Sequence, residues 1–324
     1  MPKFGYETEG LEIVRSFPEQ VKGRIFLITG PSPGGIGAET ALSLAAGSPA
    51  ALLLLGRSRT KCQPVIDSIR AKDPSILVKF VEVDLASLAS VRAAADAILA
   101  DPEIPRIDVV INNAGVMWCP LSRTPEGFEL QLASCHLGHF VLTNRLMPKV
   151  LAAGPVARIV NVSSSGNKMG PVRWDDPNFL REGSYTPLAG YGQAKTANIL
   201  FTVALNARLA RGGGGRGARA YALHPGSIPS GLQKFSTPEL VAEAVRMVVP
   251  GGKMPSRWKT LQQGCSTTLR AALDPALEGE EGVFLEDCNL FTDPATLDPR
   301  ALDPVDAERL WKMSEDLVGE KFEY

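Results

Sequence analysis

The sequence has 324 residues, 44% hydrophobic and 21% charged, which is typical of a globular protein with a sizeable core. Its 34 basic side chains nearly balance 35 acidic ones, so the net charge of −1 creates no basic field that would attract nucleic acid or anionic lipid. We therefore expect a small-molecule partner.

The apolar segments are too short to cross a membrane, since the most hydrophobic stretch, residues 50–55, has the length of a strand. The first 20 residues carry Glu7, Glu9, Glu12 and Glu19 where a signal peptide would need an apolar core. The five cysteines are scattered and never form a C-x-x-C pair, which favours a reducing compartment and offers no metal cluster. We expect a cytoplasmic protein with free thiols and no bound metal.

Short apolar runs rich in β-branched residues alternate with longer helical stretches along the chain. Runs without polar alternation are typical of parallel strands covered on both faces. Six such strands are predicted at residues 24–28, 51–55, 78–83, 109–111, 158–162 and 220–223. A short strand near residues 282–285 and a final helix after Pro304 follow. The pattern predicts a Rossmann-type α/β fold, a doubly wound parallel sheet flanked by helices, with a ligand crevice at the carboxyl ends of its strands.

We expect one domain over residues 21–324, with an N-terminal extension at 1–20 and an extended C-terminal part. The polyglycine segment at 210–219 predicts a surface loop after a helix, because glycine disfavours helix. Residues 231–260, interrupted by prolines and glycines, are interpreted as a substrate loop that closes as a lid, a hypothesis that cofactor- and substrate-dependent proteolysis would test.

A glycine-rich turn, T-G-P-S-P-G-G-I-G at residues 29–37, follows the first strand and precedes a helix. Glycines let backbone N–H groups approach a pyrophosphate, and the helix presents its positive end to that charge. The candidate cofactor contacts in this turn are Gly30, Ser32, Gly35, Ile36 and Gly37. Whether Gly34 or Gly35 lies against the pyrophosphate stays open.

The turn resembles the T-G-x-x-x-G-x-G fingerprint of the short-chain dehydrogenase/reductase family, with one additional residue in the loop. At the end of the second strand, no acidic residue stands where it would bind an adenosine ribose. Arg57 can pair with a 2′-phosphate and Ser58 can donate to it, so we expect NADP(H) rather than NAD(H). The alternative interpretation is that Arg57 is an ordinary surface arginine.

Further strand ends carry the same resemblance, and the cofactor contacts that it implies come from three segments. These are Asp84 and Leu85 near the adenine, the turn Asn113, Ala114 and Gly115, and Pro225, Gly226, Ile228 and Ser230 beside the nicotinamide. His224, which precedes the last segment, is interpreted as structural. His136 and His139 are interpreted in the same way, because they have no metal-ligand partners nearby in the sequence.

Tyr191 and Lys195 share one face of a predicted helix, because they are four residues apart. An ammonium group there can stabilise a phenolate and bring the tyrosine pKa closer to neutral. By resemblance, Ser164 is the serine that holds the substrate carbonyl, with Ser163 and Ser165 as alternatives. The implied mechanism moves a hydride between the nicotinamide and a carbonyl carbon while Tyr191 supplies the proton and Lys195 binds the nicotinamide ribose.

Residues 132–140 resemble the N-H-L-G-H-F helix of retinol dehydrogenase-like members, but Cys135 stands at the position of the asparagine. In the family this asparagine holds a water that links the lysine to solvent, and cysteine is a poor hydrogen-bonding substitute. Either water enters by another route, or the protein has diverged from carbonyl reduction. The second interpretation allows a non-redox isomerase, a cyclase-like enzyme or a binding protein without turnover.

The resemblance extends over approximately residues 21–319 and, in the C-terminal part, includes WW-domain oxidoreductase-like members. It favours an NADP(H)-dependent oxidoreductase that interconverts a carbonyl and an alcohol on a small hydrophobic or aromatic substrate. Homodimers or tetramers are common in the family, but the extended tail could cap their interface. Candidates for lining an apolar substrate cavity, any of which could instead be core, are Met169, Trp174, Phe179, Phe235, Met247, Met254 and Trp258.

Overall fold

The computed structural model describes residues 3–211, 218–249, 251, 258–291 and 297–323. Within these ranges the strands form one eight-stranded sheet in the order β3-β2-β1-β4-β5-β6-β7-β8, in which only the pairing of β7 with β8 is antiparallel. The strands are β1 Ile25–Thr29, β2 Ala51–Gly56, β3 Leu77–Glu82, β4 Val109–Asn112, β5 Arg158–Val162, β6 Arg219–His224, β7 Phe284–Glu286 and β8 Asn289–Leu290.

The doubly wound parallel sheet that the sequence predicts is therefore confirmed. Each of the six predicted strands is present, with no end displaced by more than one residue, and β7 overlaps the predicted short strand. The hairpin strand β8 was not predicted, because two residues are too few to show a hydrophobic period. Every residue of β1, β4 and β5 is buried, as expected for strands covered on both faces.

Helices alternate with the strands along the chain and cover both faces of the sheet. They are α1 Gly10–Ser16, α2 Ile36–Leu44, α3 Arg59–Lys72, α4 Leu88–Ala100, α5 Leu130–Leu132, α6 Gly138–Arg145, α7 Met147–Leu151, α8 Pro187–Arg211, α9 Pro238–Val248, α10 Leu261–Leu273 and α11 Pro304–Val318. A π-helical turn, Ala133–Leu137, joins α5 to α6. One hydrophobic core lies between the sheet and α4, α6, α8 and α11, and the other lies between the sheet and α1, α2, α3 and α10.

Both ends of the described chain pack against these layers. Helix α1 buries Ile13 and Val14 beside α10 and α2. Helix α11, the predicted final helix, places Trp311 against Phe140 of α6 and Phe201 of α8, with ring centroids 5.1 and 5.9 Å away. The terminal helices therefore extend the two cores.

Other sequence features can be placed only in part. The polyglycine residues 212–217 lie outside the described ranges, as do residues 250 and 252–257 of the predicted substrate loop. All five cysteines are buried and free. No helix in the described ranges is both long and apolar enough to span a membrane.

Candidate active site

The order of the strands reverses beside β1, since β2 lies on one side of it and β4 on the other. In a doubly wound sheet, this reversal opens a crevice at the carboxyl ends of the two neighbouring strands. The glycine-rich turn follows β1 at this edge, and the turn Asn113, Ala114 and Gly115 follows β4. The predicted cofactor segments after these strands therefore meet.

The two turns are packed against each other through glycines. A Cβ atom added to Gly37 would lie 2.6 Å from the carbonyl oxygen of Gly30 and 2.5 Å from Nδ2 of Asn113. The Asn113 amide donates to the carbonyl of Thr29 at 2.9 Å, and the Thr29 hydroxyl accepts from the backbone N–H groups of Asn113 and Ala114. Only glycine at position 37 permits this close approach of α2 to the end of β1.

The N-terminus of α2 has no side-chain cap. Gly35 occupies the N-cap position, whereas Ser58 caps α3, Ser87 caps α4 and Thr260 caps α10 with their side-chain oxygens. The first backbone N–H groups of α2 are therefore open to an anion, which is the arrangement that a pyrophosphate requires. Gly34 forms the exposed turn before it, with φ +72°, so Gly35 is the glycine directly at the helix end.

Basic side chains surround the end of β2. Arg57 is exposed and has no ion-pair or hydrogen-bond partner in the described part of the chain. The Ser58 hydroxyl accepts from the N–H of Lys61 at 3.3 Å, which leaves its own proton free to donate. Arg59, which the sequence analysis missed, is also exposed and begins α3, where a cation opposes the helix dipole. A basic residue at the start of a predicted helix is the sequence feature that could have indicated a role for Arg59 in binding an anion.

The neighbouring β3 end carries Asp84 and Leu85. The Asp84 carboxylate accepts from the N–H of Ala86 at 3.0 Å, and its backbone N–H donates to Ser90. Leu85 is buried against Gly138, where an added Cβ would lie 2.5 Å from the Leu85 carbonyl oxygen. The two residues therefore form a rigid end to β3 on the Arg57 side of the crevice.

Ser164, Tyr191 and Lys195 converge where β5 ends beside α8. Tyr191 and Ser164 both flank Gly166, where an added Cβ would lie 2.7 Å from the tyrosine ring and 3.3 Å from the serine hydroxyl oxygen. The Lys195 ammonium lies 5.6 Å from the centroid of the Tyr191 ring and donates to the Val162 carbonyl at 2.9 Å. The structure thus brings the three predicted catalytic residues together.

The adjacent serines occupy different positions. Ser163 is buried, and its hydroxyl donates to the backbone carbonyl of Lys195 at 2.7 Å, which ties β5 to α8. Ser164 is partly exposed, and its oxygen accepts from the N–H of Gly166 at 3.0 Å, so its proton can reach a ligand. The geometry favours Ser164 over Ser163 as the residue that contacts a substrate.

Burial controls the protonation of these groups. It raises the pKa of Tyr191 well above its ordinary value, an effect that the Ser164 side chain opposes. Burial also lowers the pKa of Lys195, against the opposing effect of Cys135. Tyr191 is therefore a protonated phenol at neutral pH in this structure.

Cys135 lies in the π-helical turn, fully buried, with its sulfur 3.4 Å from the backbone nitrogen of Val116. Both Cys135 and Lys195 border Gly115, where an added Cβ would lie 3.2 Å from the sulfur and 3.7 Å from the ammonium nitrogen. Burial raises the pKa of the Cys135 thiol, so it is neutral beside the lysine. The position of the family's water-holding asparagine thus holds a neutral thiol.

His139 connects this turn to the phosphate loop, a role that the sequence analysis did not identify. Its Nδ1 lies 3.1 Å from the Cys135 carbonyl oxygen and its Nε2 lies 2.9 Å from the Thr29 hydroxyl. Because the carbonyl can only accept, Nδ1 donates and the neutral Nε2 accepts from Thr29. Burial lowers the pKa of His139 to about 4, which keeps this tautomer neutral. His139 is structural, as predicted, and it supports the cofactor crevice.

The segment after β6 lies against a buried lysine. Gly226 has φ +97°, and a Cβ added there would lie 2.6 Å from the Lys259 side chain. The Lys259 backbone donates to the carbonyl of Ser227, and its ammonium pairs with Asp287 at 2.5 Å. Lys259 thus connects the predicted nicotinamide segment to the β7–β8 turn, a contact between distant segments that no local pattern reveals.

The other predicted contacts in this segment have local structural roles. Pro225 and Ile228 are buried, and Ile228 packs on Gly264 of α10. Ser230 caps a short 3-10 helix through a capping box with Gln233, so its hydroxyl already serves the backbone. Within the described ranges, no group of three or more His, Cys, Asp or Glu side chains is placed to hold a metal ion.

An apolar cluster surrounds Tyr191. It contains buried Trp118, Met169, Leu188 and Ala244, with Met117, Leu240, Val241 and Val248 packed against it. Met169 is the one member of this cluster among the described residues that were predicted to line the cavity. Trp174, which stacks under Arg309, and Phe179, which packs on Tyr185 and Arg173, lie outside this cluster.

The remaining candidates do not join the cluster either. Phe235, Met247 and Trp258 are exposed, and Met254 lies outside the described ranges. Trp118 and helix α9 were missed, although the strong amphipathic period of α9 is visible in the sequence. Their position beside Tyr191 depends on how three separate segments pack.

Comparison with known proteins gives consistent results. A family model described as short chain dehydrogenase matches residues 24–176. Retinol dehydrogenase 12 from Homo sapiens is 36% identical over 306 residues, which cover 94% of this chain and 89% of that protein. The short-chain dehydrogenase/reductase prx1 from Penicillium roqueforti is 36% identical over 307 residues, covering 91% of this chain and 85% of its own length.

Solved structures show the same architecture. An uncharacterized protein from Mycobacterium Paratuberculosis has a TM-score of 0.68 and 32% identity, covering 94% of this chain and 96% of its own. A short chain dehydrogenase from Escherichia coli CFT073, solved in complex with NADPH, has a TM-score of 0.61 and 21% identity, covering 83% and 98% of the two chains. The second likeness concerns the fold alone.

Proposed function

Because the chain belongs to the short-chain dehydrogenase/reductase family of oxidoreductases, which use NAD(P)(H), we propose that it is an NADP(H)-dependent reductase of a carbonyl group on a small apolar substrate. The observation that carries the proposal is the convergence of Ser164, Tyr191 and Lys195 at the edge of the sheet that also carries the glycine-rich turn, with Tyr191 in an apolar cluster.

The cofactor crevice fits a dinucleotide with an additional phosphate. The uncapped N-terminus of α2 supplies backbone N–H groups for a pyrophosphate. The close packing at Gly37 holds this helix end against the end of β1. Arg57 and Arg59, with the free proton of Ser58, supply positive charge and a donor at the end of β2. An adenosine 2′-phosphate satisfies these groups, whereas an unmodified ribose leaves them unused.

When bound, the nicotinamide supplies or accepts the hydride at the substrate carbon. Ser164 donates a hydrogen bond to the carbonyl oxygen and holds it beside the Tyr191 phenol. Tyr191 donates its proton to that oxygen, so that a carbonyl gains one hydride and one proton and becomes an alcohol. Lys195 contributes positive charge beside the tyrosine as the proton leaves. Since burial raises the pKa of Tyr191, the phenol is protonated at neutral pH, as a proton donor to the carbonyl oxygen must be.

The test is NADPH consumption by the purified protein with a panel of apolar ketones, aldehydes and quinones, with product mass as a second readout. We expect consumption in the wild type and its loss in Tyr191→Phe. The matched control is Tyr221→Phe, which removes another buried phenol whose hydroxyl donates to the Leu277 carbonyl, away from the crevice. Equal losses in both variants would contradict the role of Tyr191.

Because Cys135 lies beside Lys195 at the position of the family's asparagine, two alternatives remain, and the same experiment tests both. A non-redox isomerase or cyclase-like enzyme would form product without net change in the cofactor, and a binding protein would bind NADPH without forming any product. Either result would replace the reductase assignment.

A further inference from the structure

Trp118 lies three residues after Gly115 and belongs to the apolar cluster around Tyr191. Its side chain is 8% exposed and packs in one cluster with Met169, Leu188 and Tyr191. The mechanism proposed above makes no use of it. Because it belongs to the cluster that contains Tyr191, a substrate bound there is enclosed partly by this indole.

The backbone at Trp118 is in the left-handed region, with φ +54°. A bulky residue adopts this conformation only where its surroundings impose it, and such strain is concentrated at functional sites. The backbone N–H of Trp118 donates to Oε1 of Gln131 at 2.7 Å. Gln131 is itself fully buried and donates to the Tyr185 hydroxyl and the Pro187 carbonyl. This network holds the strained backbone and directs the indole into the cluster.

The indole Nε1–H is buried and has no hydrogen-bond partner among the described residues. An indole nitrogen can only donate, so no rearrangement of its proton relieves this. A buried donor without an acceptor destabilises the protein, and native structures rarely retain one without a reason. Of the clustered neighbours, Leu188 and Ala244 offer no side-chain acceptor, the Met169 thioether is only a weak one, and the Tyr191 hydroxyl makes no hydrogen bond with the indole. A ligand bound beside Tyr191 can supply the missing acceptor.

We propose that Trp118 is a specificity-determining residue that donates a hydrogen bond from its indole to a second oxygen on the substrate, away from the reacting carbonyl. The inference rests on the proposed function, because it assigns the reacting carbonyl to Ser164 and Tyr191. The substrate class is an apolar ketone or aldehyde that carries a neutral acceptor oxygen, such as an ether, ester or second carbonyl. The apolar lining favours a neutral acceptor over a carboxylate.

The test uses pairs of acetophenones that carry either a methoxy or an ethyl group at the ortho, meta or para position. The two groups have nearly the same size, but only methoxy accepts a hydrogen bond. For at least one ring position we expect kcat/KM to favour methoxy about tenfold in the wild type, the effect of about one hydrogen bond. In Trp118→Phe, which keeps an aromatic ring without the donor, the ratio falls to about one. A wild-type ratio near one at all positions, or a ratio unchanged in Trp118→Phe, overturns the proposal.

The control is Trp311→Phe, the same substitution at a buried indole that donates to Glu315 and packs on Phe201, in a different hydrophobic core from Trp118. It lowers stability but leaves the methoxy preference unchanged, which separates specificity from folding. Absence of turnover with every ketone, in the wild type as well, contradicts the proposed function. Turnover without the methoxy preference contradicts only the role of Trp118.

A second measurement does not require Trp118→Phe to fold. In Tyr191→Phe labelled with 15N-tryptophan and saturated with NADPH, the four indole N–H signals are recorded with each ligand. Single substitutions of Trp174, Trp258 and Trp311 assign the signal of Trp118 by elimination. We expect the methoxy ligand, and not its ethyl counterpart, to move the Trp118 proton downfield. Equal shifts with both ligands overturn the proposal.

Discussion

Replacing the two adjacent serines at the end of β5 separates a catalytic hydroxyl from a structural one. Ser164→Ala removes the donor to the carbonyl oxygen, and loss of one such donor raises the barrier by about 3–4 kcal/mol, or about 100- to 1000-fold in kcat. It also removes the acceptor for the Gly166 N–H at 3.0 Å, which lowers stability by about 0.5–1 kcal/mol.

Ser163→Ala has the opposite profile. It deletes the buried hydrogen bond of 2.7 Å to the Lys195 carbonyl, for a loss of about 1 kcal/mol. The Lys195 carbonyl is not left without a donor, because it still accepts a backbone hydrogen bond within α8. For a protein of this size we expect the melting temperature to fall by about 2 °C while kcat falls less than about threefold.

The assay is NADPH oxidation at saturating cofactor, with calorimetry of each variant and Ser165→Ala as a third member of the series. We expect small changes in stability in all three variants, so the loss of activity distinguishes the catalytic serine from the structural one. A loss of activity in Ser163→Ala as large as in Ser164→Ala, or a fully active Ser164→Ala, would refute the assignment of the catalytic role to Ser164.

Three further predictions concern the cofactor, the proton supply and pH. Arg57→Gln should raise the KM for NADPH about 10- to 100-fold and leave that for NADH within about twofold, as measured by steady-state kinetics; an equal effect on both would assign Arg57 to the surface. Cys135→Asn should raise kcat about two- to tenfold if the thiol limits proton resupply, and an unchanged kcat in pre-steady-state and steady-state assays would contradict that limit. Burial lowers the pKa of His136 to about 3 and those of His139 and His224 to about 4, below the ordinary 6.5. Because the unfolded chain then binds more protons as the pH falls below 6.5, stability decreases by about 2 kcal/mol for each buried histidine by pH 5, and urea unfolding that shows no loss between pH 7.5 and 5 would contradict this burial.

Much of the site follows from local patterns. The glycine-rich turn, the pair Tyr191 and Lys195, and the strand before Ser164 are each contained within a few residues. Parallel strands place their carboxyl ends at one edge, so recognising each strand already locates these groups together. The preference for Ser164 over Ser163 came from resemblance, and the structure supplies its physical reason in the bond from Ser163 to α8.

The alternatives that the sequence left open concern side chains whose neighbours it does not reveal. Trp174 and Phe179 are residue types suited to a pocket lining or to the core, and they pack on Arg309 and on Tyr185. Trp118 was overlooked because its strained backbone depends on Gln131, and its apolar neighbours come from α8 and α9.

The sequence by itself determined the sheet, the crevice and the residue types available for a nicotinamide cofactor, because hydrophobic period and turn chemistry act over short distances. Only the tertiary structure decided which serine faces the crevice, where His139 and Lys259 support it, and which side chains surround Tyr191. Those outcomes depend on the packing of segments far apart in the chain, and a local pattern carries no record of the neighbours that such packing brings into contact.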